Sequence, residues 1–153
     1  MSITERLQEL NLELPPAPKP VAAYVPSVRT GDLIYISGQV PLRDGELLAT
    51  GAVPSAVSFE QAREAARQCT LNALAVLAGQ LGQDLDRVKQ IVRVGVFVCS
   101  DPGFTDQPKV ANAASELLQE IFGERGRHAR AAVGSVALPL GAPVEIEMIA
   151  EVS

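Results

Sequence analysis

Charged side chains lie inside apolar, strand-like segments near the C-terminus of this chain. Arg130 opens one such segment, and Glu145 and Glu147 alternate with apolar residues in the next. Side chains two residues apart on a strand share a face, so the two glutamates lie on the same side. A guanidinium is suited to bidentate carboxylate recognition, and a carboxylate can position a water or move a proton. Charges at these positions need partners, either one another or a ligand.

The only histidine, His128, lies two residues before Arg130 and could serve as a general base. A lone loop histidine, however, is more often exposed or hydrogen-bonded to its surroundings. The two cysteines, Cys69 and Cys99, fall in apolar segments without C-x-x-C spacing and are expected to be buried, reduced thiols. With one histidine and no visible carboxylate cluster, the sequence predicts no metal site.

Length and composition limit the class of protein. With 153 residues, 47% of them hydrophobic, the chain has the size of one globular domain with an ordinary core. Its net charge of −5 has the wrong sign for neutralising phosphates, which disfavours nucleic acid as a principal partner. We expect no membrane partner, because no apolar run is long enough to cross a bilayer, and the unpaired cysteines predict a cytoplasmic protein.

The elements that position the charged residues follow from periodicity and turn signals. Residues 1–20 are predicted to form an N-terminal arm, with a short helix over 4–10 and then a proline-rich segment, and residues 21–153 the domain proper. The strands predicted in the first half of that domain cover 21–28, 32–40 and 47–50.

Two amphipathic helices are predicted in the second half. Ser58 and Gln61 have the spacing of a capping box, which starts a helix that ends at Leu81, and Pro108 marks the first turn of a second helix that ends at Phe122. Between them, residues 88–99 form a strand that is largely apolar on both faces, with Val92, Val94, Val96 and Val98 on one of them. The last two strands are predicted to form a hairpin around a Pro/Gly turn, which completes the order β-β-β-α-β-α-β-β.

Two helices can cover only one face of a sheet of about five or six strands. The apolar residues of the last strand are the natural helix-facing set, so Glu145 and Glu147 fall on the uncovered face. If other subunits bury that face, Arg93 and Arg130 are available as compensating cations, and Arg130 could simply form an ion pair with either glutamate. We therefore hypothesise an oligomer with charged pockets between its subunits, and which glutamate faces a ligand stays open.

The chain resembles the RidA/YjgF family, whose members include imine deaminases and proteins described as endoribonucleases. The resemblance extends from about Tyr24 to the C-terminus, nearly the whole predicted domain. It is carried by Tyr24, by YISGQVP at 35–41, by residues 104–112, by ARAAV at 129–133 with LP at 138–139, and by VEIE at 144–147 with IA at 149–150.

This resemblance implies a chorismate-mutase-like α+β fold, with one mixed sheet and two helices on one face, and a homotrimer with three clefts between subunits. Arg130 matches the arginine that grips a substrate carboxylate, and Glu145 matches the acid that positions or activates the attacking water. The matches to substrate-binding cleft residues are Tyr24, Ser37, Gly38, Asn112 and Ala132. No cofactor is implied, since an imine is already an electrophile.

The activity implied is that of a hydrolase acting on C=N bonds, which converts reactive 2-imino acids to 2-keto acids and ammonia. Two alternatives remain: a non-catalytic trimer that binds small carboxylate metabolites, and an endoribonuclease, disfavoured by the acidic charge and the lack of a histidine pair. The sequence departs from the deaminase pattern at 22–26, 112–118 and 122–128. These departures predict a divergent subgroup with an altered pocket.

Overall fold

A five-stranded mixed sheet forms the centre of the computed structural model, which describes residues 1–19 and 22–153. Its strand order is β1-β2-β7-β5-β6, with β5 and β6 parallel and the other neighbours antiparallel, while β3 and β4 form a separate hairpin. In chain order the strands are β1 (Ser27–Thr30), β2 (Leu33–Gln39), β3 (Leu42–Arg43), β4 (Glu46–Leu47), β5 (Val88–Cys99), β6 (Ala129–Ser135) and β7 (Val144–Val152).

Two long helices cover one face of this sheet, as predicted. The first, α2 (Phe59–Gln80), begins at the capping box, in which Ser58 Oγ accepts from the Gln61 N–H and Gln61 Oε1 accepts from the Ser58 N–H. The second, α3 (Gln107–Phe122), carries Pro108 in its first turn. Burial along β7 alternates without a break, because every second side chain packs into the core beneath the helices. The glutamates of β7 therefore lie on the uncovered face.

The N-terminal segment packs against the rest of the molecule. Its helix, α1 (Ile3–Glu9), lies within one residue of the predicted 4–10, and Ile3 and Leu7 are buried in the common core. The Nε of Arg6 donates to the carbonyl oxygen of Glu120 near the end of α3. Pro20 and Val21, between which the predicted arm ends and the predicted domain begins, lie outside the described residues. The division into arm and domain stays a prediction.

The predicted hairpin of the last two strands is wrong, because β6 and β7 are not neighbours. Strand β5 lies between them, paired with β7 on one side and with β6 on the other. An apolar strand must be covered on both faces, which favours the middle of a sheet. The connection over 136–143, with a 3₁₀ turn at Pro139–Gly141, crosses the end of β5 instead of forming a tight turn.

Two details of the first half also differ from expectation. The strand predicted at 21–28 begins only at Ser27, and Val21 lies outside the described residues. In place of a single strand at 47–50, β3 and β4 pair around Asp44 and Gly45. Both residues have positive φ, 54° and 82°, which is the conformation that a two-residue Asp-Gly hairpin turn requires.

The face assigned to Val92 is wrong as well. The pairing of β5 with β7 slips between Ile91 and Arg93, so Ile91 joins Val94 on the buried side and Val92 remains 36% exposed. A β-bulge adds one residue to a strand and reverses the alternation beyond it. Strict period-two reasoning cannot anticipate that change.

Candidate ligand-binding site

Arg130 lies on the edge strand of the sheet and is held by side chains of α3. It pairs with Val94, which is buried beneath the helices, so both side chains are on the helix-covered side. Its Nη1 donates to Asn112 Oδ1 (2.9 Å) and Ser115 Oγ (3.1 Å), and Nη2 reaches the carbonyl oxygen of Pro108 (3.4 Å). Among the described residues no carboxylate forms an ion pair with Arg130, and its Nε makes no hydrogen bond.

His128 extends this hydrogen-bonded network. Its Nδ1 lies 2.7 Å from the carbonyl oxygen of Gly126 and its Nε2 lies 2.8 Å from Ser115 Oγ. A carbonyl oxygen only accepts, so Nδ1 carries the hydrogen, and the neutral Nε2 accepts from the Ser115 hydroxyl. Burial lowers the pKa of His128 below its ordinary 6.5, and the charge of Arg130 lowers it further, against the opposing effect of the Gly126 hydrogen bond. The network therefore favours the neutral imidazole.

Glu145 lies on the other face of the sheet, in a cavity of about 240 Å³. Its carboxylate occupies the space over Gly38, where an added Cβ would come within 2.9 Å of Glu145 Cδ. Tyr24 and Leu140, 48% and 59% exposed, line the same cavity. Burial raises the pKa of Glu145 above its ordinary 4.5, and the negative charge of Glu147 raises it further. This carboxyl group therefore keeps its proton to a higher pH than an ordinary glutamate does.

Glu147 has a cation of its own, which distinguishes it from Glu145. Arg93 Nη1 lies 2.9 Å from Glu147 Oε1, and both side chains are about two-fifths exposed. The close passage of this pair over Gly95 leaves no room for a Cβ there. Arg93 is thus a structural cation, as the sequence indicated. Of the two glutamates, Glu145 is the one that lines the cavity.

The remaining predicted residues fall beside these two groups. Ser37 precedes Gly38 in β2, where the pairing with β7 is irregular, and its Oγ donates to the carbonyl oxygen of Val25 (2.7 Å). That contact places the hydroxyl next to the Glu145 cavity without lining it. Ala132 lies two residues after Arg130 on the same face of β6 and packs partly against the core.

The predicted site residues therefore form two separate groups within one chain. Arg130, Asn112 and His128 lie together, while Tyr24 and Gly38 lie with Glu145. Glu145 pairs with Phe97 and Arg130 with Val94, three residues apart on β5, so the two charges point to opposite faces. Strands β7 and β6 are also separated by β5, which places their backbones about 10 Å apart.

Sequence reasoning missed Ser115 and Leu140. Ser115 lies one turn after Asn112 on α3, a spacing that puts both side chains on one helix face and could have predicted a shared partner. Leu140 has a positive φ of 61° in the connection between β6 and β7. A leucine in that conformation is rare, and nothing in the local sequence predicts it.

Both cysteines are buried free thiols, as expected. Within residues 1–19 and 22–153, no three His, Cys, Asp or Glu side chains are grouped so that they could hold a metal ion. No helix of the described part of the chain has the length and apolar character needed to cross a membrane.

Comparison with known proteins gives consistent matches over almost the entire chain. Residues 4–152 match a family described as "YjgF/chorismate_mutase-like, putative endoribonuclease". Protein TCP17 of Trypanosoma cruzi is 42% identical over 99% of this chain and 94% of its own length. A 2-iminobutanoate/2-iminopropanoate deaminase of Dermatophagoides farinae is 30% identical over 90% of this chain and 92% of its own.

The fold agrees with these matches. The crystal structure of protein Atu1372 of Agrobacterium tumefaciens, of unknown function, has a TM-score of 0.90 at 41% identity and covers 99% of this chain and 92% of that one. The expected chorismate-mutase-like α+β fold is thereby confirmed. By sequence and by fold, this chain is a member of the RidA/YjgF family.

Proposed function

We propose that this protein is an enamine/imine deaminase that hydrolyses reactive 2-imino acids to 2-keto acids and ammonia. The observation that carries the proposal is the hydrogen bonding of the Arg130 guanidinium. Three acceptors fix its guanidinium, none of them charged, and its Nε and one Nη2 hydrogen have no partner among the described residues. That edge of the guanidinium is suited to a bidentate pair with a substrate carboxylate.

We assign activation of the attacking water to Glu145. As a carboxylate it accepts a proton from a water, whose oxygen attacks the imine carbon, and returns that proton to the nitrogen to give a neutral carbinolamine. The proton of the carbinolamine hydroxyl then passes through Glu145 to the nitrogen, the C–N bond breaks, and ammonia leaves as the ketone forms. The raised pKa of Glu145 makes its carboxylate a stronger base than that of an ordinary glutamate. Tyr24 and Gly38 shape the cavity, and Asn112 orients Arg130.

A substrate that contacts both charges must lie between two copies of the chain, since Arg130 and Glu145 point to opposite faces of one sheet. The uncovered face supports such an assembly. Val28 of β1, Tyr35 of β2 and Val133 of β6 are 54%, 44% and 47% exposed on it. Val28 and Tyr35 are register partners and form one exposed apolar patch, and exposed apolar patches mark interaction surfaces. We propose a homotrimer with three such clefts, each binding a small carboxylate-bearing ligand.

The similarity to a 2-iminobutanoate/2-iminopropanoate deaminase supports this assignment. The family description also mentions endoribonuclease activity. A net charge of −5 and a single histidine, already hydrogen-bonded to Ser115 and Gly126, argue against phosphodiester cleavage.

The proposal is tested by generating 2-imino acids in situ with an amino-acid oxidase and measuring release of keto acid and ammonia. Acceleration over buffer is expected for the native protein. R130A and E145Q should each lose at least about 100-fold in kcat/KM, because each removes a group that contacts the reacting molecule. R29A, which removes an exposed arginine of β1, is the matched control and should behave as wild type.

Two results would contradict the deaminase assignment. If no imine is hydrolysed faster than in buffer while small carboxylates still bind in an Arg130-dependent manner, the protein is a carboxylate-binding trimer without turnover. If RNA binds with steep salt dependence and is cleaved, the endoribonuclease alternative is correct.

A further inference from the structure

A second, larger cavity lies apart from the Arg130 and Glu145 groups. Its volume of about 650 Å³ is in the range of small-molecule sites. One wall is the N-terminal arm from Glu13 to Lys19, the second is the β3–β4 hairpin, and the floor is the middle of α2. Nothing in the proposed deaminase chemistry uses it.

The floor of this cavity contains two buried amides. Gln68 and Asn72 are 4% and 0% exposed, and they occupy neighbouring turns of α2. Asn72 Nδ2 donates to the carbonyl oxygens of Val40 and Leu42, at 3.1 and 3.0 Å, and Gln68 Nε2 donates to Asn72 Oδ1 at 3.0 Å. Buried amides are costly unless they are hydrogen-bonded. These hydrogen bonds therefore fix the orientation of both amide groups, with each NH2 group donating and each oxygen accepting.

The network ends at a cation that faces the cavity. Arg43 Nε donates to Gln68 Oε1 at 3.0 Å, which leaves both Nη groups without a protein partner among the described residues. A guanidinium anchored through Nε presents its two Nη groups as a fork for a planar anion. Arg43 is exposed, but the buried amide behind it restricts its orientation.

The other lining residues indicate the kind of anion. Lys19 adds a second positive charge, whereas Glu13 and Asp44 are negative and oppose a doubly charged phosphate more than a singly charged carboxylate. The walls are otherwise apolar, from Leu14, Pro15, Pro16, Pro18, Leu42 and Leu71. We propose that this cavity is a second binding site, specific for a small monocarboxylate with an apolar body, in which Arg43 pairs with the carboxylate.

The site adjoins the deaminase cavity without coinciding with it. Pro18, Lys19 and Leu42 line both cavities, so they form a common wall. Arg130 and Glu145 are absent from the lining of the larger cavity, and Arg43 is absent from that of the smaller one. The two sites can therefore be disabled independently.

Isothermal titration calorimetry of the full chain with 4-methylpentanoate tests the proposal, with the neutral 4-methylpentanamide as the matched ligand. We expect saturable binding of the carboxylate to R130A, which lacks the other anion anchor, and no binding of the amide. Adding R43A to R130A should weaken this binding at least tenfold, and adding R43K should have an intermediate effect, because an ammonium cannot form two parallel bonds. The control R130A/R29A should bind as R130A does.

Calorimetry of the variants shows whether the carboxylate binds at Arg43 or at Arg130. Binding that survives R43A and disappears in R130A would overturn the second site and place the carboxylate in the deaminase cleft. Equal binding of the amide would show that Arg43 recognises no charge, and would also overturn it. Loss of imine hydrolysis has no bearing on this test, because the calorimetry needs no turnover.

Discussion

Arg130 is oriented by residues that themselves carry no charge. Sequence motifs identified the arginine and Asn112, since both match the family pattern, but they could not show that Ser115 joins Arg130 to His128. That connection depends on which face of α3 lies over β6, and the packing of the helix on the sheet decides this. The same packing explains why the suspected ion pair of Arg130 with Glu145 or Glu147 does not form within one chain. We propose that His128 acts on the site through Ser115, as a positioning residue.

Replacing Ser115 by Ala should weaken substrate binding with little effect on folding. Arg130 would lose one of two Nη1 acceptors, and His128 its hydroxyl donor. Loss of one hydrogen bond to a charged group costs at least about 1.5 kcal/mol, which corresponds to an increase in KM of roughly tenfold or more. The measurement is KM and kcat with an imine substrate. An unchanged KM would mean that Ser115 does not position Arg130.

The same network predicts a pH dependence. Because the pKa of His128 is lowered below 6.5 in the folded protein, the stability it contributes is present above pH 6.5 and is lost as pH falls through the lowered pKa. Protonation also puts a hydrogen on Nε2, which then competes with Arg130 for Ser115 Oγ. The KM of the wild type should therefore rise below pH 6.5. H128Q should show a flatter KM profile over this range, and parallel profiles would contradict the coupling.

At the level of elements, the helices and their caps were predictable, and so was the pairing of β1 with β2, but the order of the last three strands was not. The capping box at Ser58 and the proline in the first turn of α3 are local signals that act within a few residues. The order of strands β5, β6 and β7 and the bulge near Val92 depend on which strand is covered on both sides. Gly38 was predictable only in part. Its motif suggested a cleft lining, but only the approach of Glu145 explains why a side chain is excluded there.

G38A should displace the Glu145 carboxylate and lower activity more than stability. The added methyl would overlap the end of a flexible side chain, which can rotate away, so the free energy of unfolding should fall by no more than about 1–2 kcal/mol. The reaction rate should fall at least about tenfold, because Glu145 no longer holds the water in place.

The control for this substitution is G79A. Gly79 lies in α2 with no neighbouring atom within 4 Å of an added Cβ, so alanine there should leave activity unchanged and raise stability by about 0.5–1 kcal/mol. Thermal unfolding and kcat/KM are measured for both variants. A G38A protein with wild-type activity would show that Glu145 does not need its observed position.

In the whole molecule, the helices leave one face of the sheet uncovered. The two charged residues of the proposed site lie on opposite faces, Glu145 on the uncovered face and Arg130 on the helix-covered one. Periodicity in β7 was enough to predict the uncovered face, because Glu145 and Glu147 alternate with buried residues. It could not show that Arg130 lies on the opposite side, since that requires the parallel pairing of β6 with β5. The proposed assembly follows from this opposition: one subunit supplies Arg130 and its neighbour supplies Glu145.

Hybrid trimers of R130A and E145Q chains should recover activity that neither parent has. If each cleft takes Arg130 from one chain and Glu145 from the next, every trimer that contains both kinds of chain has both native residues in one of its three clefts, so purified hybrids should reach about a third of wild-type activity. The chains are co-expressed with different tags, the hybrids purified over both, and imine hydrolysis compared with wild type. Mixing R130A with the R130A/E145Q double variant is the control, because every cleft then lacks the arginine. If both residues acted from one chain, the hybrids would stay as inactive as their parents, and a site between subunits would have to be abandoned.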